Sequence, residues 1–75
     1  MAVTITLKNN NGLLPIEEDW LLKHIGPRLH YTHQSVGGEG WICKRVFKPG
    51  MVGVYYNLTI EDDRYATWFI LHFPQ

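Results

Sequence analysis

The stretch Val52-Gly53-Val54-Tyr55-Tyr56-Asn57-Leu58-Thr59-Ile60-Glu61 alternates without a break. Val52, Val54, Tyr56, Leu58 and Ile60 fall on one side, and Gly53, Tyr55, Asn57, Thr59 and Glu61 on the other. Successive residues of an extended strand point to opposite faces of its sheet, so the pattern describes a strand with one side against a core.

Working outward from it, Glu61-Asp62-Asp63-Arg64 has turn composition, and Tyr65 to Phe73 is rich in aromatic and β-branched residues, which predicts a hairpin partner. With an even-numbered loop centred on Asp62-Asp63, Ile60 opposes Tyr65, and Thr67, Phe69, Leu71 and Phe73 share the inner face. Ala66, Trp68, Ile70 and His72 then point outward, and an odd-numbered loop exchanges the two sets.

On the other side, Lys48-Pro49-Gly50-Met51 separates the stretch from a strand over Trp41 to Phe47. A two-residue Pro49-Gly50 turn sets Phe47 opposite Val52, with Trp41 and Cys43 inward and Ile42, Lys44 and Val46 outward. Arg45 becomes an inward misfit, relieved only by a bulge or an edge location. Gly37-Gly38-Glu39-Gly40 closes one more hairpin, whose first strand spans Leu29 to Val36.

Before these strands the chain carries one helix signal. Pro15 suits a first helical turn, Glu17, Glu18 and Asp19 sit at the positive end of the dipole, and Lys23 and His24 sit at the negative end. Gly26 supplies a left-handed stop and Pro27 prevents continuation, so the helix is predicted over Pro15 to Ile25. Leu14, Leu21, Leu22 and Ile25 form its main apolar stripe, while Ile16 and Trp20 point the other way. Trp20 therefore meets either a loop folded over it or a partner.

Val3, Ile5 and Leu7 alternate with Thr4, Thr6 and Lys8 in a first strand that Asn9-Asn10-Asn11-Gly12 ends. The fold class predicted is α+β: one α-helix packed on a four- to five-stranded antiparallel sheet, order β-α-β-β-β-β, with residues 1–75 as one small domain. The pattern leaves the place of the first strand in the sheet open.

Composition narrows the class further. A chain of 75 residues with 45% hydrophobic and 19% charged residues has the profile of a folding domain rather than a disordered one. Its size limits burial to roughly 60% of the surface of the unfolded chain. Seven Lys and Arg balance seven Asp and Glu, so no long-range field draws the chain to nucleic acid or anionic membrane. A single cysteine fits a reducing compartment, and with neither a signal-peptide pattern nor an apolar run of about 20 residues the expectation is a cytoplasmic protein with no membrane partner.

Catalytic and metal chemistry finds little support in these residues. His30 and His33 are three apart in a predicted strand and project from opposite faces, and no paired Cys motif is present, so no metal or other cofactor is expected. Cys43 reads as a small buried thiol. Glu17, Glu18 and Asp19 fan around a helix start and cannot converge on one substrate atom. Gly37-Gly38-Glu39-Gly40 lacks the lysine and the strand-to-helix setting of a phosphate loop. The chain is not expected to be an enzyme.

A predicted outer sheet face of Ile42, Val46, Tyr55, Trp68 and Ile70, with Tyr31 beside them, is too apolar to stay wet. It calls for a partner, unless the sheet curls into a small barrel or a loop covers that face. The functional expectation is a protein-interaction module, of the kind that serves as inhibitor, adaptor, assembly subunit or phage-type accessory protein. It would bind another protein or a second copy of itself through Tyr31, Lys44, Tyr55, Trp68, Ile70 and Trp20. The alternative uses the same face for single-stranded nucleic acid, with Tyr31, Tyr55 and Trp68 stacking on bases and Lys44, Arg28 and Lys8 on phosphates.

Overall fold

A computed structural model describes residues 1–7, 12–32, 34–47 and 54–74. In chain order the elements are β1 (Val3–Leu7), α1 (Pro15–His24), β2 (Arg28–Tyr31), β3 (Ser35–Gly38), β4 (Trp41–Phe47), β5 (Val54–Ile60) and α2 (Asp63–His72). The five strands form one sheet in the order β1-β5-β4-β3-β2, with every neighbouring pair antiparallel. The α+β class and the order β-α-β-β-β-β are those the sequence predicts, and a second helix follows them. β1, which the pattern could not place, pairs with β5 at the far edge, Val3 opposite Ile60 and Leu7 opposite Tyr56.

The register carries the alternation of β5 across the sheet. Trp41 opposes Ile60 and Cys43 opposes Leu58 on β4, while Ile5 opposes Leu58 on β1. Ile5, Leu7, Trp41, Cys43, Leu58 and Ile60 thus share one face, and all are buried together with Trp20, Leu21, Ala66 and Phe69 of the helices. Each fully buried side chain of this kind contributes about 1.5–3 kcal/mol relative to exposure. The opposite face is wet. Thr4 and Thr59 meet there at 3.0 Å, and the Thr6 hydroxyl donates to Asn57 Oδ1 at 3.1 Å.

The stretch Tyr65 to Phe73 is a helix, not the expected strand. Asp62 caps it, its Oδ1 accepting the Arg64 N–H at 2.9 Å, and the acidic Asp63 follows in the first turn. Ala66 and Phe69, three apart, supply its buried side, with Tyr65 and Phe73 partly buried beside them. The residues read as a hairpin turn are therefore a helix start, and Ile60 faces no Tyr65.

Leu29 to Val36 is likewise not one strand but two, β2 and β3, folded back at Thr32. The Thr32 hydroxyl accepts the N–H of Ser35 at 3.0 Å and of Gln34 at 3.3 Å, and the Thr32 N–H donates to the Ser35 carbonyl at 2.7 Å. A threonine bonding to backbone two and three residues on closes such a turn. The zinc argument from His30 and His33 rested on one continuous strand, and His33 lies outside the described residues. Among those described, no three His, Cys, Asp or Glu side chains converge.

Two smaller expectations also change. Gly26 is not left-handed, since positive φ among the described residues occurs only at Gly12 and Gly40. A side chain at Gly26 would meet the Glu39 carbonyl at 2.6 Å, so the residue is required by the close approach of the β3–β4 turn. Phe47 opposes Val54 rather than Val52, and Lys48-Pro49-Gly50-Met51, expected as the turn, lies outside the described residues. The register runs regularly through Arg45, which is exposed with its guanidinium carbon 4.8 Å from the centre of the Phe47 ring. Solvent at that end of the sheet, not a bulge, relieves the misfit.

Candidate functional site

The six residues expected to form one contact face are distributed over several surfaces. Lys44 and Tyr55 stand on the outer sheet face as predicted, among Thr4, Thr6, Asn57 and Thr59. Trp68 and Ile70 are on α2, so the sheet face loses two of its large apolar side chains and reads as an ordinary solvated face. Tyr31, opposite Val36, belongs to the inner side at the β2 edge. Trp20 is buried: its ring lies 5.7 Å from Phe69 in a T-shaped contact and 6.4 Å from Phe73. Its second apolar contact is α2, folded over it.

With Tyr31, Tyr55 and Trp68 on three different surfaces, they do not make one stacking platform for nucleic-acid bases. That alternative depended on a single aromatic sheet face, which the helical course of residues 63–72 removes.

The structure instead brings two features together. The first is a cleft of about 310 Å³ on the inner side, between the start of α1 and the β2–β3 hairpin. Pro15 and Glu18 line one wall, Arg28 and Tyr31 the other, with Cys43 among the lining residues. The Arg28 guanidinium is 3.9 Å from the Glu18 carboxylate and 5.8 Å from the Tyr31 ring, a loose pair worth little at its exposure. Burial, and then the nearby Glu17 charge, push the Cys43 thiol up to about 11. A thiol so strongly protonated near neutral pH is a poor nucleophile, which agrees with its reading as a core residue. Glu17 itself is buried, and its Oε1 accepts the Leu14 N–H at 2.9 Å where the helix begins.

The second feature is the solvent side of α2. Its first turns expose Asp63, Arg64 and Thr67, but its last turns expose Trp68 (53%), Ile70 (42%) and Leu71 (71%) within four residues. Tyr65 buttresses Trp68 edge-on, their ring centres 5.5 Å apart, so the indole has a rigid support. Leu71 was assigned inward from the strand reading. The signal that would have exposed it is Ala66 and Phe69 at helical spacing behind an Asp62 cap.

Compared with known proteins, the chain matches no family model, no curated protein and no solved structure. Among the described residues, no helix is long and apolar enough to cross a membrane.

Proposed function

We propose that the chain is a small protein-binding module without catalytic chemistry of its own, and that its contact surface is the exposed apolar end of α2. The reading is supported by one observation above the rest, the exposure of Trp68, Ile70 and Leu71 within four residues of a helix whose core side carries Ala66 and Phe69. Tryptophan is the residue type most enriched at binding hot spots, and Leu71, three residues on, adjoins Trp68 on the same side of the helix, with Ile70 on the opposite flank. Lys44 and Tyr55, on the other side of the sheet, lie outside this contact. A single cysteine held protonated fits a module working in a reducing compartment such as the cytoplasm.

The experiment is equilibrium unfolding of dilute wild type, Trp68→Ser and Leu71→Ser. A face kept for a partner contributes little within the chain, so both variants should keep their stability to within about 0.5 kcal/mol. A loss of 2 kcal/mol or more, roughly the signature of a buried side chain, would show that the face is packed inside the protein and would overturn the reading.

A further inference from the structure

β1 is an edge strand, and among the described residues nothing pairs with its outer side. An unpaired edge presents a row of backbone N–H and C=O groups to any extended chain that can reach it, and soluble proteins usually block such rows with charge, proline or a bulge. Val3-Thr4-Ile5-Thr6-Leu7 carries none of these: it holds no charged residue or proline, and its five residues pair with β5 in unbroken register.

Pairing with a second copy also keeps both faces of this edge in place, as antiparallel pairing about a strand residue does in general. An interface between identical chains related by a two-fold axis requires that residue i meet j while j meets i. Laid antiparallel on a copy of itself about Ile5, the strand sets Thr4 beside Thr6, Val3 beside Leu7 and Ile5 beside Ile5. Every threonine then remains on the wet face, continuing the row in which Thr6 bonds Asn57 and Thr4 bonds Thr59. Every apolar residue remains on the core face. The helix resting on β1 and β5 is α2, so two copies joined at this edge bring two α2 helices to the same side of the junction.

We propose that the partner of α2 is a second copy of this chain, joined through antiparallel β1–β1 pairing centred on Ile5, so that one continuous sheet runs from the β2 edge of one copy to that of the other. The proposal rests on the reading of α2 as a contact surface and names its occupant. A specific interface buries on the order of 1,000 Å² or more, which a five-residue edge reaches only with the exposed apolar end of α2 beside it.

The test is the solution mass of wild type, Thr4→Lys/Thr6→Lys and Thr4→Lys/Thr6→Glu from about 1 µM to about 1 mM. In the proposed register residue 4 of one copy faces residue 6 of the other, twice. The double-lysine variant therefore opposes like charges at both places and should weaken the dimer about tenfold or more. The lysine–glutamate variant opposes unlike charges at the same two places and should restore it. Both substituted positions are exposed on the wet face, and far-ultraviolet circular dichroism checks that each variant folds. Hydrogen exchange on the wild type gives an independent reading, since amide protection that grows with concentration should be centred on residues 3–7.

A wild type that stays monomeric over the whole range overturns the proposal. So does a dimer indifferent to both double substitutions with no concentration-dependent protection in β1. In either case the α2 reading is judged separately, by the stability of Trp68→Ser in dilute solution.

Discussion

At one edge of the sheet, β2 is four residues long, carries Arg28 and His30, and slips register against β3 between them. At the other, β1 is five residues long, carries no charge, and keeps register from Val3 to Leu7. Short length, charge and a bulge are the means by which an edge strand avoids pairing with a stranger, and one edge of this sheet uses all three while the other uses none. Beside β2 lies an open cleft with a polar, partly charged lining, whereas over β1 lies α2, whose exposed end is apolar. Apolar side chains are exposed on both flanks, Leu29 and Tyr31 on β2 as well as Trp68 and Leu71 on α2, so what separates the two edges is the guarding of their backbone.

The largest effect that separates the two flanks is expected at Phe69, which is fully buried, lies against Trp20 and seats α2 over β1 and β5. Phe69→Ala should cost about 3–5 kcal/mol in urea unfolding, because a vacated aromatic site in a small core collapses poorly. At the other flank Tyr31→Ala, 73% exposed, should change stability by less than about 0.5 kcal/mol. A Phe69→Ala loss below about 1 kcal/mol would mean that α2 is not anchored through this residue, and the contrast between the flanks would fall with it.

The two flanks were also unequally legible from residues alone. β1, β4, β5 and α1 could be read because each has a pattern that only one conformation satisfies: the unbroken alternation of Val54 to Ile60, or Pro15 followed by Glu17 and Glu18 and ended before Pro27. Tyr65 to Phe73 satisfies two. Tyr65, Phe69 and Phe73 fit a period of two and a period of nearly four equally well, and the choice between them lies in Asp62, which serves either a turn or a cap. Misreading that one residue moved Trp68 and Ile70 onto the sheet and took Leu71 off the surface. The β2–β3 turn was hidden for a different reason. Its closing bonds come from a threonine hydroxyl, and Thr32 is at home in a strand until its partners are known. Burial of Cys43 followed from parity on β4, which the observed pairing of Phe47 with Val54 leaves unchanged.

A medium effect is expected at that cysteine, on the cleft side. Burial, and then the Glu17 charge, push its thiol from the ordinary 9.0 up to about 11, so the folded chain holds this proton more tightly than the unfolded one. By linkage the resulting stability is complete below about pH 9 and is lost as pH rises through about 11, because the unfolded state then sheds the proton that the fold retains. Cys43→Ala should remove this part of the alkaline decline. The difference in unfolding free energy between wild type and variant, flat below pH 9, should shrink steadily up to pH 11. A difference that stays constant across that range would mean the thiol is solvated from the cleft, and the β2 flank would be more open than its burial indicates.

The smallest effect on stability carries the sharpest test of the two edges. Arg28 is held by the 3.9 Å approach to Glu18 and lies 5.8 Å from the Tyr31 ring, and His30 is held by a 3.3 Å contact between its Nε2 and Ser35 Oγ, so Arg28→Val/His30→Val should alter the monomer by less than about 0.5 kcal/mol. What should change is association. Introduced into Thr4→Lys/Thr6→Lys, where the β1 edge is blocked, the valines leave β2 as the edge without charge, and species larger than the monomer should return with rising concentration. If none returns, charge is not what keeps β2 single. The register slip between Arg28 and His30 would then suffice, since a bulged edge cannot lie flat against an extended neighbour, and the contrast with β1 would rest on backbone geometry rather than on side-chain charge.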